Sequence, residues 1–138
     1  MPINYGAVLV CGVLSLVVGF VWYGPMFGKR WMHIVGATGK TAEERKKMQA
    51  KAGPLYVLQF LLTLLQVYVL AYLIACWPGA NGWQLSIFIW LGFIMPVVAG
   101  TAMWNNDSKN VAWSRFLIQA GYQLVMAIIF GLVLTAWV

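Results

Sequence analysis

Four long apolar runs, 4–23, 55–77, 83–104 and 115–137, dominate the chain, and no Asp, Glu, Lys, Arg or His falls in the interior of any of them, Arg115 standing only at the end of the last. A soluble helix keeps a charged, wet face opposite its apolar stripe; these runs have none. Each is long enough to cross a hydrocarbon layer ~30 Å thick, which takes about 20 residues. The pattern therefore predicts an all-α membrane protein, a four-transmembrane-helix bundle in one domain spanning 1–138. The connections are a long loop (24–54), a tight turn and a short loop, too small together for a separate soluble domain.

Proline supports these boundaries with one exception. Pro25 follows the first run, Pro54 suits the first turn of the second, and Pro78 with Gly79 breaks the chain after it. Pro96 falls inside the third run. The first run has no basic stretch before it and ends in Trp22-Tyr23-Gly24-Pro25, without the small residues that suit cleavage. It is expected to be retained as a helix. In the long loop, Thr41-Ala42-Glu43-Glu44 fits a capping box, and Glu43 stands four before Lys47. A short helix over 42–52 is expected, ended by Gly53-Pro54.

Charge adds an orientation. All nine Lys and Arg residues lie between 29 and 51 or between 109 and 115, and the N-terminal tail, the 78–82 turn and the C-terminus have none. By the positive-inside rule the first and third loops face the cytoplasm and both termini lie outside. A bias this complete argues against insertion in both orientations. Trp22, Trp31, Trp77, Trp83, Trp104, Trp113 and Trp137 fall at or near predicted helix ends, as an interfacial belt requires; Trp90 alone is internal. The net charge of +6 follows from topology and needs no nucleic-acid partner.

The chemistry left to the spans is neutral. A proton-coupled pump keeps an ionisable group at depth, and these runs lack one. Cys11 and Cys76 form no CxxC pair, and His33 stands alone in the long loop, so neither a metal site nor a cofactor is expected. No nucleophile and base are paired, and the expectation is a protein that is not an enzyme.

The candidate site is a set of polar residues inside the runs. Gln59, Thr63 and Gln66, spaced i, i+4, i+7, share one helix face, and Gln119 and Gln123 share another. Counted from the cytoplasmic ends at 1.5 Å per residue, Gln59 and Gln119 lie ~6 Å deep, with Thr101 near them. Thr63 and Gln123 lie ~12 Å deep, with Ser15 near them. Such a cluster either bonds helix to helix or lines an uncharged pocket open to the cytoplasm. Gly12, Ser15 and Gly19 would let a neighbour approach helix 1 closely. A second candidate is the interfacial turn of Trp22, Tyr23, Pro25, Lys29 and Trp31, facing Asn105, Asn106 and Asp107. It reads as an aromatic belt with a helix stop, or as a gate or headgroup site near Lys29 and Arg30.

Three stretches carry a family likeness: Gly19-Phe20-Val21-Trp22-Tyr23-Gly24-Pro25-Met26-Phe27-Gly28-Lys29 with Trp31; Leu91-Gly92-Phe93 with Pro96; and Phe116-Leu117-Ile118 leading to Gly121-Tyr122, Gly131 and Trp137. Over nearly its whole length the chain resembles the DUF1761 family of small four-helix bacterial membrane proteins. The resemblance implies a multi-pass protein of the bacterial inner membrane and brings no activity, substrate or cofactor. The residues point to a small channel, transporter or binding protein for a neutral solute, an ion or a lipid, working as a homo-oligomer among membrane lipids. The alternative is an accessory protein that acts by helix packing with partners.

Overall fold

Asn4 starts the first helix, its side-chain oxygen accepting the Ala7 N–H at 3.1 Å. The computed structural model describes residues 3–34, 41–105 and 108–137, and no strand occurs among them. Helix α1 (Tyr5–Val21) continues into a π-helical turn, Trp22–Met26, before the short α2 (Gly28–Ile34). Helix α3 covers Ala42–Cys76. Helix α4 (Gly82–Ile89) passes through a second π-helical turn, Trp90–Ile94, into α5 (Met95–Met103), and α6 covers Lys109–Ala136. Four stretches are long and apolar enough to cross a membrane: Tyr5–Met26, Ala50–Cys76, Gly82–Met103 and Lys109–Ala136.

Pro25 departs from expectation, and Pro96, inside the third span as expected, shares the reason. Pro25 does not stop the first span; it sits within a π turn, where Phe27 N–H reaches back five residues to the Trp22 carbonyl at 3.0 Å. Pro96 lies at the start of α5, directly after the second π turn. Proline lacks an N–H, and its ring crowds the carbonyl four residues back. Widening the turn lets the helix pass it without stopping. The short α2 beyond Pro25 was not anticipated.

The helix of the first loop begins where expected, with the Thr41 hydroxyl accepting the Glu44 N–H at 3.2 Å. It does not end at Gly53-Pro54. It runs unbroken into the second span as one helix of 35 residues, with Pro54 inside. The carbonyl that Pro54 leaves without a donor is that of Ala50, and Ala50 is exposed near the end of the span, where water can serve it. A Gly-Pro pair breaks a helix when the freed carbonyl is stranded, and here it is not.

Helix α6 is the hub. It packs on α1, α2, α3, α4 and α5, and 39% of its apolar stretch is buried, against 11% for Gly82–Met103. A buried cluster of Ala7, Val8, Cys11, Val67, Met126, Phe130 and Leu134 joins α1, α3 and α6. Asn4 Nδ2 donates to the Trp137 carbonyl at 3.2 Å, so the two termini meet at one end, which we call the neutral end. The α3–α4 turn lies there too, and the cationic segments cap the opposite, basic end.

Close backbone approach sets the α4–α6 contact. A Cβ placed on Gly131 would lie 2.6 Å from Trp83 Cα and 2.7 Å from the Gly82 carbonyl oxygen. Helix α3, by contrast, leans on α1 and meets α4 near the turn, where Ile74 lies against Gly82. Helices α3 and α5 share no packed interface. Phe20, Phe88 and Phe93 project outward and are largely exposed, a surface suited to lipid and costly in water.

Candidate functional site

The hydroxyl groups within the spans are spent locally. Ser15 Oγ donates to the Gly12 carbonyl (2.6 Å), Thr63 Oγ1 to Gln59 (2.9 Å) and Thr101 Oγ1 to Val97 (3.0 Å). Ser86 and Thr135 do the same toward Gly82 and Gly131, at 2.8 and 2.7 Å. A hydroxyl bonded to its own helix i−3 or i−4 carbonyl can be buried without a partner helix. None of these hydroxyls donates to a neighbouring helix. Ser15 lies against the Tyr122 side of α6, Thr63 is buried, and Thr101 is exposed on α5.

The glutamines are a different matter. Where α3 stands away from α4, a cavity of about 360 Å³ opens, with α3, α4, the Trp90–Ile94 turn and α6 as its walls. Gln66 lies on the α3 wall and Gln123 on the α6 wall; Ser86 is already bonded, and every other lining residue is apolar. Neither of these two amides hydrogen-bonds to another side chain or backbone group among the described residues. Gln59 lies two turns nearer the basic end on the same face of α3, exposed, with a long 3.4 Å contact from its Nε2 to Thr63 Oγ1. Gln119 lies one turn nearer that end on α6, half-buried. Gln66, exposed, and Gln123, half-buried, thus both line one cleft near the middle of their spans, and the cavity extends from them toward the neutral end. The cluster was expected in the basic half. Of its members only Gln66 and Gln123 line this cavity, while Gln59, Thr63 and Gln119 lie nearer the basic end.

Deeper in the spans, aromatic side chains supply polar bonds between helices. Trp22 Nε1 donates to the Ile118 carbonyl at 2.9 Å, and Trp90 Nε1 to the Ala120 carbonyl at 3.0 Å, so two indoles grip α6 from α1 and from the Trp90–Ile94 turn. The Tyr122 hydroxyl returns a bond to the Ser15 carbonyl at 2.7 Å. Glycine makes room for both rings: a Cβ on Gly121 would meet Trp22 at 3.1 Å, and one on Gly19 would meet Tyr122 at 3.2 Å. Sequence reasoning assigned these rings no partner. The one visible signal was Trp90, the tryptophan far from any helix end.

At the basic end the aromatic turn folds inward. Trp22 lies 4.8 Å from Phe27, and Tyr23 lies 4.8 Å from Trp31 and 5.5 Å from Tyr122, centroid to centroid. Pro25 shapes the turn, and Lys29 and Asn105 are exposed. Arg30 donates through Nε (3.0 Å) and Nη2 (2.5 Å) to Ser114 Oγ on α6. The Arg115 guanidinium stands 6.0 Å from the Trp31 ring centroid and reaches the Ile34 carbonyl at 3.5 Å. Asn106 and Asp107, expected opposite this turn, lie outside the described residues. Among the described residues no three His, Cys, Asp or Glu gather to hold a metal ion. Cys11 is buried and Cys76 exposed, both as free thiols.

A family model described as a protein of unknown function (DUF1761) matches residues 6–135, nearly the whole chain. The chain belongs to the DUF1761 family. No curated protein and no solved structure matches it. For this DUF1761 chain the cleft and the basic end therefore stand as the two places where geometry alone must be read for function.

Proposed function

We propose that this DUF1761 protein is a non-enzymatic, multi-pass protein of the bacterial inner membrane, basic end to the cytoplasm, whose cleft binds a lipid-like molecule. The occupant has a long apolar part and an uncharged head able to hydrogen-bond, such as a hydroxyl or carbonyl. One observation carries this reading: the unpaired amides of Gln66 and Gln123 line an otherwise apolar cavity from α3 and from α6. Leaving a polar group unmatched in hydrocarbon costs several kcal/mol per group. A head bonded by one or both amides removes that cost, and an apolar chain fills the space beside Leu70, Ile89 and Phe130. Entry is lateral, from the bilayer, between α3 and the α4 side of the cleft. With no charge in the cavity lining, the cleft suits a neutral species and offers nothing for proton coupling.

The test is photolabelling in vesicles with a diazirine-bearing long-chain alcohol. Label is expected on the segments containing Gln66 and Gln123, and the pair Gln66→Leu with Gln123→Leu is expected to lower it at unchanged thermal stability. Label spread evenly over all four spans would overturn the reading. The second reading, an accessory protein or homo-oligomer acting through helix packing, draws on the 11% burial of Gly82–Met103, which leaves a broad apolar face open. It is favoured if the same pair of substitutions disrupts assembly while labelling of wild type shows no cleft preference.

A further inference from the structure

We propose that the basic end carries a binding site for the phosphate of an anionic lipid, organised by Arg30 and shared by Lys29 and Arg115. The inference goes beyond the cleft and does not depend on what occupies it. Arg30 is exposed, and its guanidinium is held across to α6 by Ser114 Oγ. A hydroxyl partner fixes the direction of the guanidinium fork without cancelling its charge. The donors not used by Ser114 remain for an anion, and the fork geometry of arginine matches phosphate.

The surroundings are one-signed. Segments 28–34 and 108–115 contain four cations, Lys29, Arg30, Lys109 and Arg115, and no acid. Counting the adjacent Asp107 against them still leaves a surplus of three positive charges. The other acids, Glu43 and Glu44, belong to the start of α3, which has no packed interface with α2. The Arg115 guanidinium stands over the ring of Trp31, on the same short helix as Arg30. Directly below lie Trp22, Tyr23 and Phe27, and Trp113 is 64% exposed on α6. Aromatic rings of this kind occupy the headgroup level of a membrane. The ligand with a phosphate at that height and an acyl chain beside exposed aromatic surface is a lipid, which decides between lipid and soluble phosphate.

The experiment is native mass spectrometry of the full chain in neutral detergent, titrated with phosphatidylglycerol and with phosphatidylcholine of matched acyl chains. Phosphatidylglycerol is expected to bind preferentially. Arg30→Gln should weaken it by about fivefold, the factor that corresponds to ~1 kcal/mol per basic residue at an anionic surface. Ser114→Ala, which keeps the charge and loses the anchor, should weaken it less, and Lys46→Gln with Lys47→Gln should leave it unchanged. Equal binding of the two lipids, displacement by inorganic phosphate, or an equal loss in the Lys46 and Lys47 pair would overturn the proposal. Should Arg30→Gln fail to fold, Ser114→Ala decides, and undiminished phosphatidylglycerol binding in that variant refutes the site.

Discussion

Adding one methyl group at Gly131 tests whether the α4–α6 contact is as close as the structure has it. The new Cβ of Gly131→Ala would stand 2.6 Å from Trp83 Cα and 2.7 Å from both the Gly82 oxygen and Ser86 Oγ. Two of these three neighbours are backbone atoms, so no side chain can rotate away to relieve the overlap. The helices must part by about 0.8 Å before Trp83 Cα reaches the 3.4 Å at which ordinary contact begins. A gap of that size forfeits about a quarter to a half of each dispersion contact along the interface, and forced overpacking typically costs about 1–3 kcal/mol. Packing is the main force between helices in lipid, so the loss is not offset elsewhere. Gly100→Ala is the control: a Cβ there meets nothing within 4 Å, and alanine favours the helix by ~1 kcal/mol over glycine. Reversible unfolding in mixed micelles should therefore show Gly131→Ala destabilised by about 1–3 kcal/mol and Gly100→Ala unchanged or slightly stabilised. Equal stability of the two variants would refute the close approach, and with it the position of the α4 wall of the cleft.

Three further outcomes are expected. Trp90→Phe removes the indole bond to Ala120 and should lower stability in the same assay by roughly 0.6 to 2 kcal/mol, the range for hydrogen bonds between membrane helices; no change would remove the indole from the account of helix association. Pro54→Ala should leave the distance between spin labels at Lys47 and Leu61 unaltered, since α3 already runs through Pro54; a shift of several ångströms would show a break there. With the basic end cytoplasmic, a membrane-impermeant maleimide added to intact cells should modify exposed Cys76 and spare buried Cys11, and Cys76→Ser should abolish labelling. Modification of an introduced cysteine at Lys46 from outside would reverse the topology.

How much of this was legible beforehand varies with the residue. Thr41 announced its cap, because a capping box is satisfied by four consecutive residues. Gln66 and Gln123 were visible as unusual polar groups at depth, and their helix faces followed from spacing. That they share a cleft was not, because it depends on how α3 is set against α4 and α6. Ser15, Thr63 and Thr101 looked like members of the same cluster, yet each donates to its own helix, an option that residue type alone does not rank. Trp22 looked like a belt residue and Tyr122 figured only in the family likeness, and their bonds to Ile118 and Ser15 join residues 96 and 107 positions apart.

From residue order alone came the number of spans, their helical character and the gathering of every cation into two segments. Each depends on hydropathy and charge along one dimension, and a bilayer reads the chain in one dimension. The tertiary structure alone decided which faces meet, where the π turns lie and where the gap opens. The spans are apolar on nearly every side, so hydrophobicity cannot choose a face in lipid. That choice falls to close steric fit at Gly82, Gly121 and Gly131 and to single donors such as Trp22 and Trp90, whose partners exist only once the helices are side by side.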